Sequence, residues 1–294
     1  MTAILVPLPG QLTCFGMLSA LSDRLDLQRL PSEVRFDFSP LRFASPSGIV
    51  LLHNLTRFLV SRDIAVSYEN YARQTEALRF IDDIGFFADH LGHHASPLAR
   101  HRPTTCRLKE VHHQRSYEWI DGTFLPWFSN CANRPIGALA QLRVCLTEIF
   151  NNIRDHSSIE VGSIFAQWYP NKEELRLSVG DFGRGIPKNV WEVDPSLTPS
   201  QAIIRAFEPG FSTRGNPRNR GAGLGYLRDF VTEQMGGNLT LYSGGAAVYA
   251  GPSTQVTAVN VNLGNSGYTG TLVDINVPTV RIESVAPEAE DNIW

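Results

Sequence analysis

The chain has 294 residues, 43% of them hydrophobic, and a formal net charge of -3 at pH 7. This length favours two domains, and the hydrophobic content is sufficient for a core in each. No long run of lysine or arginine is present, so nucleic-acid binding through phosphate contacts is not indicated. Because we find neither a signal peptide nor an apolar run of the ~20 residues that cross a membrane, we expect no membrane association and a cytoplasmic location.

The cysteines are far apart in the sequence and form no C-x-x-C pair; they are Cys14, Cys106, Cys131 and Cys145. Cysteines that form a disulfide framework or bind zinc usually occur at short, characteristic spacings. Neither a disulfide framework nor a zinc site is therefore predicted.

The first 100 residues have the pattern of an α/β domain. A short apolar run at 3–9 is followed by strand-like segments at 34–38 and 64–68 and helix-like segments at 18–27, 49–61 and 76–91. Strands that alternate with helices indicate a parallel or mixed sheet with helices packed on it. The polar segment 92–103 contains two prolines and no apolar period, so we place a domain boundary near residue 100.

Residues 101–282 are predicted to form a second α/β domain, followed by an acidic, disordered tail at 283–294. The hydrophobic pattern of this second domain predicts strands at 105–111, 161–169, 174–180, 239–243 and 271–277, and helices at 117–130, 138–155 and 224–235.

Two polar residues share one face of the helix predicted at 138–155. Glu148 and Asn152 are four residues apart in an apolar stretch, so they lie one helical turn apart. Asn152 suits a magnesium ion that is shared with substrate phosphates. Glu148 is then close to the terminal phosphate, where a carboxylate can orient and deprotonate water. Taken alone, both residues would be polar surface residues of an amphipathic helix.

Glycine-rich loops follow a predicted strand and precede a predicted helix. In DFGRGIP, Asp181 offers an acceptor for the exocyclic amine of adenine, and Gly183 and Gly185 allow the backbone to approach the base. In RGAGLG, free N–H groups at a helix start favour phosphate. Charge-assisted phosphate contacts are expected from the arginines between the two loops: Arg214, Arg218 and Arg220. Each loop alone could be an ordinary turn, but the order of the motifs favours a nucleotide site.

Residues 135–280 resemble the GHKL ATPases, the family of gyrase, the heat-shock chaperone of the same fold, histidine kinases and MutL. TEIFNNIRDH is similar to the N-box of this family, DFGRGIP to the first glycine box, GFSTR to the lid motif, RGAGLGYL to the second glycine box and GTLVDINVP to the last strand. The sequence has Arg214 where many members have lysine, and no helix carries a phosphoacceptor H-E box, which argues against histidine-kinase activity.

The GHKL resemblance implies a Bergerat-type α/β sandwich, a mixed sheet with helices, that binds ATP and magnesium under a mobile lid. It assigns magnesium to Asn152, catalysis to Glu148, and nucleotide contacts to Asn152, Asp181, Gly183, Gly185, Ser212, Thr213, Arg214, Gly221, Gly223, Leu224 and Gly225.

The first 100 residues resemble a STAS domain, the fold of anti-sigma-factor antagonists. The resemblance is carried by VRFDFSPLRFASPSGIVLLHNL and the following IAVSYEN. It aligns Ser47 with the serine that partner kinases phosphorylate, although Ser45 replaces the acidic residue of that turn. Alternatively, Ser47 caps a helix that begins at Gly48 or Ile49.

Three functions are compatible with these patterns. The first is an ATP-binding, ATP-hydrolysing switch whose nucleotide state controls association with a protein partner or with a second copy of the chain. The second is a serine kinase, like the anti-sigma factors, that acts on Ser47 or on a separate STAS protein. The third is an ATP sensor without catalysis. The sequence identifies no partner and no oligomer interface.

Overall fold

The computed structural model of the protein describes residues 3–208, 210–211, 223–253, 256–260 and 268–282. Within these ranges the strands form a three-stranded, a seven-stranded and a two-stranded sheet. None of the described helices has the length and apolar character needed to span a membrane.

The N-terminal half is built on the three-stranded sheet, which is parallel and has the order β1-β3-β5. Its strands are β1 (Ala3–Pro7), β3 (Glu33–Asp37) and β5 (Ala65–Glu69), and β2 (Gln11–Leu12) and β4 (Phe43–Ala44) form the short parallel pair. Helices accompany these strands: α1 (Cys14–Ser22), α2 (Pro46–Val60), α3 (Glu76–Asp83) and α4 (Phe86–Leu91). The α/β pattern predicted for this half is confirmed.

Three helix predictions in this half differ from the structure. α1 spans Cys14–Ser22 instead of the predicted 18–27. α3 and α4 replace the single helix predicted at 76–91, because Gly85 between them has a left-handed φ of +90°. α2 begins at Pro46, since the Ser45 hydroxyl accepts a hydrogen bond from the Gly48 N–H at 3.3 Å. Ser45 is therefore the cap, and the interpretation of Ser47 as the capping residue is wrong.

The seven-stranded sheet has the order β11-β10-β9-β12-β8-β7-β6. Its strands are β6 (Thr105–His112), β7 (Val161–Tyr169), β8 (Glu174–Gly180), β9 (Asn238–Ser243), β10 (Ala246–Ala250), β11 (Thr257–Asn260) and β12 (Thr271–Pro278). The sequence predicted β7 and β8 with these bounds, whereas β10 and β11 were not predicted.

Every described strand pairing in this sheet is antiparallel, so the expectation of a mixed sheet is wrong in this respect. β8 and β9 do run in the same direction, as strands joined through helices commonly do. However, β12 lies between them and is antiparallel to both. The last strand of the domain therefore separates the two strands that would otherwise form a parallel pair.

Helices of the C-terminal half cover one face of this sheet. They are α5 (Ser116–Trp119), α6 (Leu125–Ala132), α7 (Ala140–His156), α8 (Ile186–Val190), α9 (Pro199–Ala206) and α10 (Gly223–Asp229). π-Helical turns at Ile120–Phe124 and Phe230–Gln234 join α5 to α6 and extend α10. The helices predicted at 117–130 and 224–235 are therefore interrupted by π turns, and α8 and α9 were not predicted.

Side chains of the seven-stranded sheet alternate between two cores. Ile164 and Val273 pack in the core of the C-terminal half, whereas their neighbours Phe165 and Leu272 join the core of the N-terminal half. α2 lies across β7 and β8 on this second face. A Cβ at Gly180 would lie 3.1 Å from the Asn54 Nδ2 atom of α2, so the absence of a side chain permits the close approach. Both faces of the sheet are covered, and the boundary near residue 100 stays a prediction.

Candidate functional site

A cavity of about 520 Å³ lies between α7, the end of β8 and the start of α10. Small-molecule sites commonly have volumes of roughly 300–1,000 Å³. Part of the wall is apolar and consists of Ile149, Ile153, Val179, Ile186, Val190 and Val273. The predicted site residues that line the cavity are Glu148, Asn152, Asp181, Gly185, Gly223 and Leu224. The fold therefore brings the three described motifs together around one space.

α7 orients the two polar residues of the first motif. One side of the helix is buried in the core of the C-terminal half, through Leu142, Cys145, Leu146, Ile149, Phe150 and Ile153. This apolar stripe fixes the rotation of the helix about its axis. Glu148 and Asn152, one turn apart, consequently line the cavity.

Burial changes the chemistry of both residues. Desolvation raises the pKa of Glu148, and a hydrogen bond from Asn151 and the charge of Arg154 only partly oppose it. The Nδ2 atom of Asn152 is buried and has no hydrogen-bond partner among the described residues. Because buried polar groups are nearly always satisfied, Asn152 presents a group that a ligand in the cavity would complete.

Asp181 lies at the end of β8, where its backbone N–H donates to the Thr271 carbonyl at 2.9 Å. Its Oδ1 accepts a hydrogen bond from the Gly183 N–H at 2.7 Å. The residue is only 4% exposed. Burial raises the pKa of its carboxyl to about 7, and the backbone donors of Gly183 and Thr271 offset only part of this increase. Asp181 is therefore a buried acceptor that changes charge near neutral pH.

The loop after Asp181 requires both of its predicted glycines. A Cβ at Gly183 would overlap the backbone carbonyl of Ser157. Gly185 has a φ of +79°, and a Cβ there would lie 2.7 Å from the Thr269 carbonyl oxygen. The Arg184 N–H donates to the Ser157 carbonyl at 2.7 Å. The loop is thus held between the end of α7 and the segment that leads into β12.

The first residue of α10, Gly223, lies beside Glu148 and Asn152 of α7. A Cβ at Gly223 would lie 2.6 Å from the Glu148 Oε2 atom, so the glycine leaves room for that carboxylate. A Cβ at Gly225 would lie 2.8 Å from the carbonyl oxygen of Phe207, which brings α10 close to the end of α9. Gly223 is therefore part of the cavity wall, and Gly225 is a packing residue beneath it.

Residues 137–278 match the family model described as "Histidine kinase-, DNA gyrase B-, and HSP90-like ATPase". This region is a GHKL-type ATPase domain. The family binds ATP, usually with magnesium. No curated protein matches the chain. The matched range contains α7, β7, β8, β12 and the whole cavity, and it begins after the N-terminal half, so the STAS-like identity of that half stays a prediction.

Several residues assigned to the lid and second glycine box of the GHKL-type domain lie outside the described residues: Ser212, Thr213, Arg214, Arg218, Arg220 and Gly221. The acidic tail at 283–294 also lies outside them. Their predicted contacts with the nucleotide and the predicted disorder of the tail stay predictions.

Asn189 also lines the cavity and was not among the residues predicted from the sequence. Its Nδ2 atom donates to the carbonyls of His156 at 2.8 Å and Gly185 at 3.0 Å. It therefore ties the glycine loop to the end of α7. Pro187, the second residue of α8, indicated that a helix starts here, because proline is favoured in the first turn of a helix.

Ser47 does not line the cavity, because α2 packs on the opposite face of the sheet. It is 2% exposed, and its hydroxyl lies 3.1 Å from the Ser45 hydroxyl and 3.4 Å from the Cys14 N–H that donates to it. The Ser47 hydroxyl also lies near the partly buried carboxyl of Asp274 in β12, whose pKa it lowers against the larger increase caused by desolvation. With α2 packed on the sheet, a kinase has no access to this hydroxyl, and the role of Ser47 as a phosphoacceptor stays a prediction.

Proposed function

We propose that the chain binds Mg-ATP in this cavity and hydrolyses it, and that its nucleotide state controls association with a partner protein or with a second copy of the chain. One observation carries the proposal. Glu148 and Asn152 of the α7 motif and Asp181 of the first glycine loop line a single cavity of about 520 Å³ that also has an apolar wall. The apolar wall suits the base, and the polar residues suit the amine and the phosphates.

Asp181 is the residue proposed to recognise adenine. It lies beside the apolar residues Val179 and Ile186 in the wall of the cavity. A carboxylate there accepts a hydrogen bond from an exocyclic amine but repels a carbonyl oxygen at the same position. Selectivity for ATP over GTP follows from this difference.

Asn152 is the residue proposed to hold magnesium together with the phosphates. Its buried amide lacks a partner, and rotation of the amide by 180° turns its carbonyl oxygen to the same position. Magnesium prefers oxygen ligands and usually takes only one or two of them from protein side chains. The donor set therefore fits the ion, which when bound neutralises phosphate charge.

Glu148 is proposed to act as the general base. Its carboxylate lies on the cavity side of α7, next to the start of α10, where the phosphates are expected. A raised pKa makes this carboxylate a stronger base than an exposed glutamate. It therefore can accept the proton of a water that attacks the terminal phosphate.

The test of adenine recognition is Asp181→Asn. The Gly183 N–H must keep an acceptor, so the new amide turns its oxygen toward Gly183 and its NH₂ group away from it. That NH₂ group then faces the adenine amine, and two hydrogen-bond donors cannot pair with each other. Since a charged hydrogen bond is worth roughly 1.5–3 kcal/mol, we expect about 10- to 150-fold weaker ATP binding by calorimetry.

Two nucleotides serve as controls in the same experiment. The native protein should bind ATP much more tightly than GTP, and Asp181→Asn should lose most of this preference, since its NH₂ group can donate to a carbonyl. Equal binding of both nucleotides by the native protein would remove the proposed role of Asp181.

A separate experiment tests the reaction. Incubation with Mg-ATP, followed by assays of free phosphate and intact mass, separates hydrolysis from phosphoryl transfer to the chain.

The affinity for ATP should also depend on pH. The Asp181 carboxyl has a pKa of about 7, and an adenine amine binds only its ionised form. Binding therefore lowers this pKa and releases protons at and below pH 7, so affinity should rise between pH 6 and pH 8 and then level off. Calorimetry in two buffers of different ionisation enthalpy measures both the affinity and the proton release.

The Asp181→Asn variant is the control for this pH dependence, because phosphate groups also titrate near pH 6. Any pH dependence that remains in the variant comes from groups other than Asp181. If the native protein and the variant have the same pH profile, the Asp181 carboxyl does not titrate on binding.

A further inference from the structure

Asp181 is held from two sides of the molecule. Its side chain lines the cavity, whereas its backbone carbonyl accepts a hydrogen bond from the Tyr268 hydroxyl. Tyr268 is 1% exposed and belongs to the core of the N-terminal half. The same hydroxyl accepts a hydrogen bond from Asn54 Nδ2 of α2 at 3.4 Å. A hydrogen-bonded chain therefore runs from α2 through Tyr268 to the proposed adenine acceptor.

The next residue of the loop contacts the same helix. The ring of Phe182 lies with its centroid 4.5 Å from that of Phe58 in α2 and 4.9 Å from that of Tyr268. Aromatic pairs at these separations contribute beyond the area they bury. Two consecutive loop residues, Asp181 and Phe182, are thus positioned by contacts on the face of the sheet opposite the cavity.

Little space exists for the loop to move independently of these contacts. A Cβ at Gly270 would overlap the Asp181 carbonyl, and one at Gly180 would lie 3.1 Å from both the Tyr268 hydroxyl and Asn54 Nδ2. Interiors packed this closely transmit small displacements between neighbouring groups. If α2 moves away from the sheet, Tyr268 loses its contact with Asn54 and Phe182 loses its contact with Phe58, so both groups that position Asp181 become less constrained.

We propose that ATP binding in the cavity and the packing of α2 on the seven-stranded sheet are coupled through Tyr268 and Phe182, with Tyr268 as a positioning residue for Asp181. This inference rests on the proposed ATP site and names the element that the nucleotide regulates. Coupling between two equilibria is reciprocal, so ATP must stabilise the packed position of α2 by the same factor by which that packing strengthens ATP binding.

Cys14 provides a reporter for the packing of the N-terminal half. Its thiol is fully buried, and its backbone N–H donates to Ser47 of α2. Burial, followed by the nearby charge of Asp274 in β12, raises the pKa of the Cys14 thiol, which places this thiol beside the sheet. Alkylation of Cys14 therefore requires α1 and α2 to open away from the sheet. Cys131 is partly exposed and serves as a reference thiol in the same protein.

The experiment compares Tyr268→Phe with Tyr68→Phe in the full chain. Tyr268→Phe keeps the ring and removes only the hydroxyl that joins Asn54 to Asp181. Tyr68→Phe removes another buried hydroxyl of the N-terminal core, one that donates to Thr56 at 3.2 Å. We expect ATP binding to weaken roughly two- to tenfold in Tyr268→Phe and to change little in Tyr68→Phe.

Alkylation of Cys14 measures the converse effect, that of ATP on the packing of α2. In the native protein and in Tyr68→Phe, Mg-ATP should slow alkylation of Cys14 relative to Cys131, as measured by mass spectrometry of peptides. In Tyr268→Phe this protection should be smaller. Phe58→Leu removes the ring contact with Phe182 and should have the same effect, so it replaces Tyr268→Phe if that variant does not fold.

The outcomes separate this inference from the proposed function. If the native protein binds ATP but Cys14 reacts equally fast with and without it, and Tyr268→Phe binds ATP like the native protein, the coupling is wrong and the ATP site stands. If the native protein does not bind ATP, the proposed function fails and the coupling fails with it.

Discussion

Substitution of Glu148 by glutamine should leave ATP affinity within a few-fold of the native value and reduce phosphate release about 10²- to 10⁴-fold, which is the usual contribution of general acid–base catalysis. Glutamine keeps the shape of the side chain beside Gly223 but cannot accept the proton of an attacking water. Calorimetry measures the binding, and a free-phosphate assay under saturating Mg-ATP measures the rate.

Glu118→Gln is the matched control for this experiment. Glu118 is an exposed carboxylate in α5 of the same half and does not line the cavity. It should change neither the affinity nor the rate. A Glu148→Gln protein that releases phosphate at the native rate would show that another group activates the water. A native protein that neither releases phosphate nor gains the mass of a phosphoryl group would instead support the ATP sensor.

The best predicted elements are those in which local pattern and tertiary environment agree. β8 alternates between Leu175, Leu177 and Val179 on one face and polar or small residues on the other, so its two ends could be predicted. The same holds for α7, whose apolar side faces the core and leaves Glu148 and Asn152 at the cavity. The site was predictable in part because both motifs lie on such elements.

The environment of the polar face of the sheet was not predictable. An alternating strand is usually read as having a solvated polar face. Here Ser178 of β8 is fully buried and donates to the partly buried Asp274 of β12 at 2.6 Å, on the face of the sheet that packs against the N-terminal half. Burial of this kind depends on α2, which is distant in the sequence, and alternation alone carries no information about that partner.

Other elements had local indications that the sequence analysis did not use. β9 and β10 are joined by Gly244 and Gly245, both with positive φ, and a two-residue glycine turn is typical of a hairpin. α9 begins with a capping box formed by Thr198 and Gln201. By contrast, the position of β12 between β8 and β9 follows from long-range pairing, for which short sequence patterns give no rule.

Substitution of Gly183 by alanine should disrupt the loop that carries Asp181. The added methyl group would overlap the Ser157 carbonyl, which is backbone and cannot rotate away. The loop must therefore move, and this breaks the 2.7 Å hydrogen bond from the Gly183 N–H to Asp181. Overpacking of this kind costs about 1–3 kcal/mol of unfolding free energy, and often more when backbone is displaced.

Gly122→Ala is the matched control, because no atom lies within 4 Å of a Cβ built at that position. We expect Gly183→Ala to lower the melting temperature by several degrees and to abolish measurable ATP binding, whereas Gly122→Ala should leave both unchanged. Scanning calorimetry and ATP titration below the melting temperature provide the two values. A Gly183→Ala protein that binds ATP with native affinity would show that the position of Asp181 in this loop does not determine recognition of the nucleotide.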